Sequence, residues 1–288
     1  MKVPSLLLAL LGLAVPLMGA DLQSLRQSLS LHASFDEGLD ADFSRGDKRC
    51  VMRKGKDWVD CQLNEEVKLV PGGKFGQCLH FPQKGKTNPS FLGAGVLGYN
   101  AKSWSNTVSI WLSLTADEDL QPGYCDPLQI VGNDSKKGFI FLEFSKDETP
   151  RFFRFAVRPL AHIWNPTNVN WADIAFEKRP MVQLRGPVFS RERWTHVAFT
   201  LERLNEDPAA KPRASLYMDG KSMGSIDNWD LRFDWDPASV AMVLGASYVG
   251  RQDDLAVFDR CLSAAEVREL FGLPRGIASL RMEAKAKR

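Results

Sequence analysis

The sequence predicts an all-β protein, a two-sheet antiparallel sandwich with one short helix near its C-terminal end. Two observations carry this expectation: apolar residues recur at every second position along most of the chain, and turn-forming residues separate the runs. Successive side chains of a strand point to opposite faces, so each such run buries one face against a second layer. Leu29, Leu31, Ala33 and Phe35 alternate with Ser30, His32 and Ser34, and Val108, Ile110, Leu112 and Leu114 alternate with Ser109, Trp111 and Ser113. The pattern returns in Val197, Phe199 and Leu201. Ala214, Leu216 and Met218 repeat it before Asp219-Gly220, a pair that accepts the positive φ of a tight hairpin turn. Shorter strand candidates are 78–81, 128–131, 139–144, 152–157, 181–184, 240–244 and 255–258. The helix is expected where Ser263 and Glu266 form a capping box, with Gly272 and Pro274 ending it.

The N-terminus has a different character. Lys2 precedes an almost unbroken apolar run over 3–17, then the small residues Gly19 and Ala20, the layout of a secretory signal peptide over 1–20. The run falls short of the ~20 apolar residues that span a bilayer, so the processed chain is expected outside the cytoplasm, secreted or in the periplasm or cell envelope, without a membrane span. A lead-in at 21–27, one domain over 28–272 and a flexible tail over 273–288 complete the expected organisation. A formal net charge of +2 from 37 basic and 35 acidic residues gives no general reason to bind nucleic acid. Five cysteines in an exported chain permit disulfides and leave one over. Cys50 and Cys61 could close a small loop, and no Cys-x-x-Cys or Cys/His cluster marks a zinc site.

Six segments in order resemble the LamG-like jelly-roll group of the concanavalin A-like lectin/glucanase superfamily: Phe35-Asp36-Glu37-Gly38, Gly73-Lys74-Phe75-Gly76 with Cys78-Leu79-His80-Phe81, Thr107 to Leu112, Arg193 to Ala198, Leu216 to Lys221, and Asp253 to Phe258 followed by Arg260, Leu262, Ser263 and Glu266. The resemblance implies a jelly-roll sandwich whose relatives bind glycans or proteins, often with calcium at a sheet edge. It also brings the acidic residues of the first and last strands together, making Asp42, Asp47 and Asp254 the expected Ca²⁺ ligands. Hard carboxylate oxygens suit that ion, although Arg45, Lys48 and Arg49 interrupt the turn.

Sugar binding is expected from loops that combine tryptophan with amide and carboxylate side chains, since a pyranose presents an apolar C–H face and a rim of hydroxyls. The stretch 158–190 supplies Trp164, Asn168 and Trp171, and Asn228-Trp229-Asp230, with Trp235 and Asp236 nearby, supplies a second candidate. The competing reading makes each tryptophan a packing residue, the role assigned to Trp111 and Trp194. A glycosidase needs two carboxylates facing across the sugar, which hydrolase relatives carry as Glu-x-Asp-x-x-Glu. Glu143 to Glu148 is the nearest acidic cluster and lacks that spacing. His32 and His196 fall in strand patterns and are read as structural. The expected function is thus non-catalytic recognition of carbohydrate or glycoprotein. A structural, protein-interaction component of the cell envelope is the alternative, and a divergent glycoside hydrolase the third reading.

Overall fold

The structure, a computed structural model, describes residues 22–187 and 189–282; the expected signal peptide lies outside them. Two antiparallel sheets stack face to face. Sheet A contains β1 (Leu29–Ala33), β2 (Phe43–Ser44), β5 (Lys68–Pro71), β6 (Gln77–Phe81) and β8 (Trp104–Ser113). It is completed by β13 (Thr195–Leu204), β14 (Arg213–Met218), β15 (Lys221–Ile226) and β17 (Gly250–Phe258). Sheet B contains β3 (Val51–Lys54), β4 (Asp57–Asp60), β7 (Ser90–Leu92) and β9 (Cys125–Val131). Its other strands are β10 (Phe139–Phe144), β11 (Phe153–Arg158), β12 (Met181–Leu184) and β16 (Ala241–Ala246). In sheet A the path runs β15-β14-β13-β8-β17-β1-β2, and in sheet B β12-β11-β10-β9-β16-β7-β3-β4.

The alternating residues meet between the sheets. Val108, Ile110 and Leu112 of β8 and Val197, Phe199 and Leu201 of β13 share one core with Ile140, Leu142 and Phe144 of β10 and Phe153 and Phe155 of β11. Phe155 stacks on Phe199 across the layers, ring centroids 4.8 Å apart. The Asp219-Gly220 turn has φ of 48° and 73°, the left-handed pair required by the β14–β15 hairpin. His196 is buried against Trp111, with Nε2 2.8 Å from Ser109 Oγ. Burial pushes its pKa down to about 3, so it stays a neutral structural ring.

Helices cover part of the outer face of sheet A. The capping box forms as expected at the head of α4 (Ala264–Gly272), where the Ser263 side chain accepts from the Glu266 N–H. The lead-in is itself helical, α1 (Leu22–Ser28), while α2 (Ala116–Asp119) and α3 (Ala161–Trp164) are single turns in loops. The expected tail is corrected as far as residue 282. After α4 the chain forms β18 (Pro274–Ile277) and α5 (Ala278–Met282), and Ile277 and Leu280 are buried with Leu25, Leu29, Ala256 and Phe258. Burying such aliphatic side chains is worth about 1.5–3 kcal/mol each, enough to hold the segment down although it lacks strand alternation.

Cys50 and Cys61 flank the β3–β4 hairpin. Cys61 N–H donates to Cys50 O at 2.9 Å, and the two thiols hydrogen-bond to each other. A peptide map of protein secreted under oxidising conditions is expected to contain a Cys50–Cys61 crosslink that reduction removes. Recovery of both as free thiols would contradict this.

Candidate functional site

The acidic residues proposed as calcium ligands do not converge. Asp254, buried and held at φ 50°, has Oδ1 2.8 Å from His32 Nε2 and accepts the Ile277 N–H on Oδ2 at 3.0 Å. Asp42 accepts the Ser34 N–H at 2.7 Å, and the Arg281 guanidinium lies 3.7 Å from its other oxygen. Asp47 turns to Arg49, whose guanidinium holds its carboxyl below the usual carboxylate range. Asp36, in the opening strand motif, accepts the Gln77 N–H. Each carboxylate is therefore committed to a backbone donor or a cation. Among the described residues no group of three or more His, Cys, Asp or Glu is arranged to hold a metal ion, so these three residues do not fit Ca²⁺. Asp42 and Asp254 instead tie the C-terminal segment to the sandwich through Arg281 and Ile277, and Asp47 braces its own turn through Arg49.

The insertion between β11 and β12 builds a core of its own. Phe141, Ala156 and Met181 point outward from sheet B, and Phe139 and Trp171 pack on them. The Arg158 guanidinium lies 4.4 Å from the Trp164 ring and 5.3 Å from that of Trp171, Arg179 lies 4.8 Å from Trp171, and the two indoles meet edge to face. Trp164 is buried, so its faces are filled from within the protein. Asn168 is exposed at φ 51°, where its N–H closes a turn onto Asn165 O. Trp164 and Trp171 are thus packing residues, Trp171 half-buried, and Asn168 is the exposed member of the trio.

Trp229 is different. It is half-buried, packs one side against the main core, and has no ring or cation stacked on it among the described residues. It lines a cavity of about 560 Å³ together with Glu202, Arg203, Lys211, Arg213, Asn228 and Asp230. Asp227, Asn228 and Ser225 form a hydrogen-bonded chain, which Arg213 joins through Ser225 at 3.0 Å. Asp230 is held by Arg232. Arg203 at the bulge of β13, Lys211 at the end of the turn 208–210, and Asn228, a residue type that accepts the left-handed region, have φ of 55°, 56° and 61°. Trp235, from the same sequence cluster, is instead buried behind this loop.

A second cavity of about 550 Å³ adjoins the first. It contains Thr200, Ser215, Tyr217, Ser222 and Cys261, and it shares Glu202 and Arg213, which face each other across β13 and β14. Together they form one trough over the part of sheet A that α1, α4 and α5 leave uncovered. Tyr217 hydrogen-bonds with the side chains of Thr200 and Ser215, and burial pushes its phenol up, keeping it neutral and able to donate. The trough therefore offers a half-buried aromatic face at one end, then amide, carboxylate and guanidinium groups, over a base in which Thr200, Ser215 and Tyr217 are buried and hydrogen-bonded together.

A family model described as the concanavalin A-like lectin/glucanases superfamily matches residues 97–268. The chain belongs to that superfamily. No curated protein matches its sequence. Among solved structures, this superfamily member is similar to domain 4 of a GH43 extracellular arabinanase from Geobacillus stearothermophilus, solved with arabinotriose. The identity is 16% and the TM-score 0.52, covering 84% of this chain and 97% of that one. It is also similar to the receptor-binding domain of botulinum neurotoxin D (11% identity, TM-score 0.51, 86% of this chain and 53% of that one). The botulinum neurotoxin D ligand-binding domain solved with N-acetylneuraminic acid gives 11% identity and a TM-score of 0.50, over 88% of this chain and 52% of that one. The chain thus spans about half the length of the toxin domains. At these identities the likeness is one of fold.

The outer face of sheet B carries a pair of carboxylates that sequence spacing did not reveal. Glu143 and Asp126 sit on adjacent strands, both buried, and each lies close enough for Glu143 to push Asp126 further up. Glu143 is paired with Arg154 at 2.9 Å, which also reaches Glu148 at 3.3 Å and Gln183 at 2.7 Å. Asp126 accepts from Gln129 Nε2 at 2.6 Å, while its Oδ1 has no partner. Neither residue lines the trough.

Proposed function

We propose that this chain is an exported, non-catalytic glycan-binding module whose ligand lies in the trough of sheet A with one sugar ring on Trp229. The carrying observation is the unstacked indole of Trp229 at the end of a row of hydrogen-bonding groups, on a loop tied down by the Asn228–Asp227–Ser225 hydrogen bonds. Apolar ring and polar rim are what a pyranose or furanose requires. Structural relatives solved with arabinotriose and with N-acetylneuraminic acid support the class of ligand without naming it. The N-terminal signal-peptide pattern supports export. The chemistry is recognition: the trough orients hydroxyls between Asp227, Asn228, Asp230 and Arg213.

A glycan array probed with the processed protein, followed by calorimetric titration of the best oligosaccharide, tests this. Trp229→Ala is expected to weaken binding by about five- to 150-fold, since stacking on an aromatic ring is worth about 1–3 kcal/mol, while Trp171→Ala leaves affinity within twofold. Equal affinity of Trp229→Ala and the wild type would refute the site. Silence of the whole array from folded protein would move the assignment to protein contacts in the envelope. Hydrolysis of a bound glycan would revive the glycosidase reading.

A further inference from the structure

A smaller cavity, about 140 Å³, opens on the outer face of sheet B, away from the trough. Arg53 and Trp58 face each other across the β3–β4 hairpin, and the guanidinium lies 4.3 Å from the indole centre. Lys86 and Asn88 close the opposite wall from the loop before β7, and Val131 and Val243 form the floor. No carboxylate lines this cleft. Arg53 donates only to neutral acceptors, Lys56 O at 2.9 Å and Asn133 Oδ1. Glu66 lies nearby, but its Oε2 is taken by the backbone N–H groups of Lys86 and Thr87 and by the Thr87 hydroxyl. Neither Arg53 nor the Lys86 ammonium forms an ion pair among the described residues.

Two cations without a direct ion-pair partner lie over an apolar floor, Glu66 offsetting part of the Lys86 charge, and they draw one small acidic group into the space between them. The indole edge and the Asn88 side chain add partners for a sugar ring that a bare anion would not use, while the Ser90 and Ser239 hydroxyls donate to Asn88 O and Asp236 O. The geometry points to a second binding site, selective for a carboxylate-bearing sugar residue of the hexuronate type. In it the carboxylate sits between Arg53 and Lys86 and the ring lies against the edge of Trp58, one face of which Arg53 covers. This site does not depend on the trough.

Titration of the full processed chain with galacturonic acid, with galactose as the neutral counterpart and with inorganic phosphate tests it. Galacturonate is expected to bind at least tenfold more tightly than either, to lose affinity at least fivefold in K86Q and more in R53Q, and to be unaffected by W229A. Lys86 is exposed, so K86Q keeps the fold and the proposal stays open to refutation even if R53Q is unstable. Equal binding of galactose, equal binding of phosphate, or unchanged affinity in K86Q would each overturn it.

Discussion

Trp235→Ala is expected to cost about 3–5 kcal/mol of folding stability, the range for truncating a large buried aromatic. Trp235 is 5% exposed and sits among Tyr99, Trp104 and Phe233, with ring centroids 5.4, 5.5 and 4.7 Å away. Its indole N–H donates to Gly138 O at 2.9 Å, and its backbone N–H donates to the Tyr99 hydroxyl at 3.0 Å. Truncation thus opens a cavity and orphans a buried carbonyl. The surroundings cannot collapse freely, because Gly138 approaches so closely that even a β-carbon there would strike Phe233 and come within 2.9 Å of Trp235 Nε1. The neighbouring loop also carries the trough, since Phe233 N–H donates to Asn205 Oδ1 and Asn205 N–H donates to Leu231 O, next to Asp230. Denaturant unfolding of the variant should therefore show a large loss, and glycan affinity should fall with it. A loss below about 1 kcal/mol would mean that the cluster is not a structural plug.

Asp126→Asn is expected to act in the opposite direction, stabilising the protein increasingly as pH rises. Burial, reinforced by the Glu143 carboxyl, pushes the Asp126 pKa from 3.8 up to about 8. The folded protein thus holds a proton that the unfolded chain has released. That contribution is complete below pH 4 and is lost as pH climbs through 8, because stability falls wherever the folded state binds more protons. A shift of this size corresponds to at most about 6 kcal/mol. Asparagine keeps the hydrogen bond from Gln129 and has no charge to bury, so the variant should gain on the wild type between pH 4 and 8. Parallel stability profiles over that range would show that Asp126 ionises in place without penalty.

Much of the sandwich is legible in the sequence because its strands are buried and alternate. Phe139–Phe144 and Met181–Leu184 form with the expected bounds, and β8 gains Trp104, Ser105 and Asn106 ahead of its predicted run while β13 gains Glu202, Arg203 and Leu204 beyond its own. The strands that escape notice lie at edges or carry polar residues. The β3–β4 hairpin is largely exposed, β7 has three residues, and β15 contains Gly224 among serines. Period-two burial has little to act on there, and pairing with a neighbour decides the conformation.

For the site, the sequence identifies the right residue types and cannot rank them. Trp164, Trp171 and Trp229 look alike as loop tryptophans beside asparagines. What separates them is the tertiary placement of Arg158 and Arg179, which fill the first two rings and leave the third free. The calcium expectation fails for a related reason. The acidic residues of first and last strands do approach, but His32 and Arg281, one read as a strand residue and the other as tail, stand where a cation would. Thr200, Ser215 and Tyr217 are the polar positions of alternating strands, and nothing local shows that they pair with one another, buried at the base of the trough.

A crystal structure of the processed protein soaked with the oligosaccharide it binds most tightly tests the central claim most directly. The sugar is expected on the exposed face of Trp229, extending past Arg213 toward Tyr217. Density confined to another face of the sandwich, with the Trp229 ring bare, would contradict it.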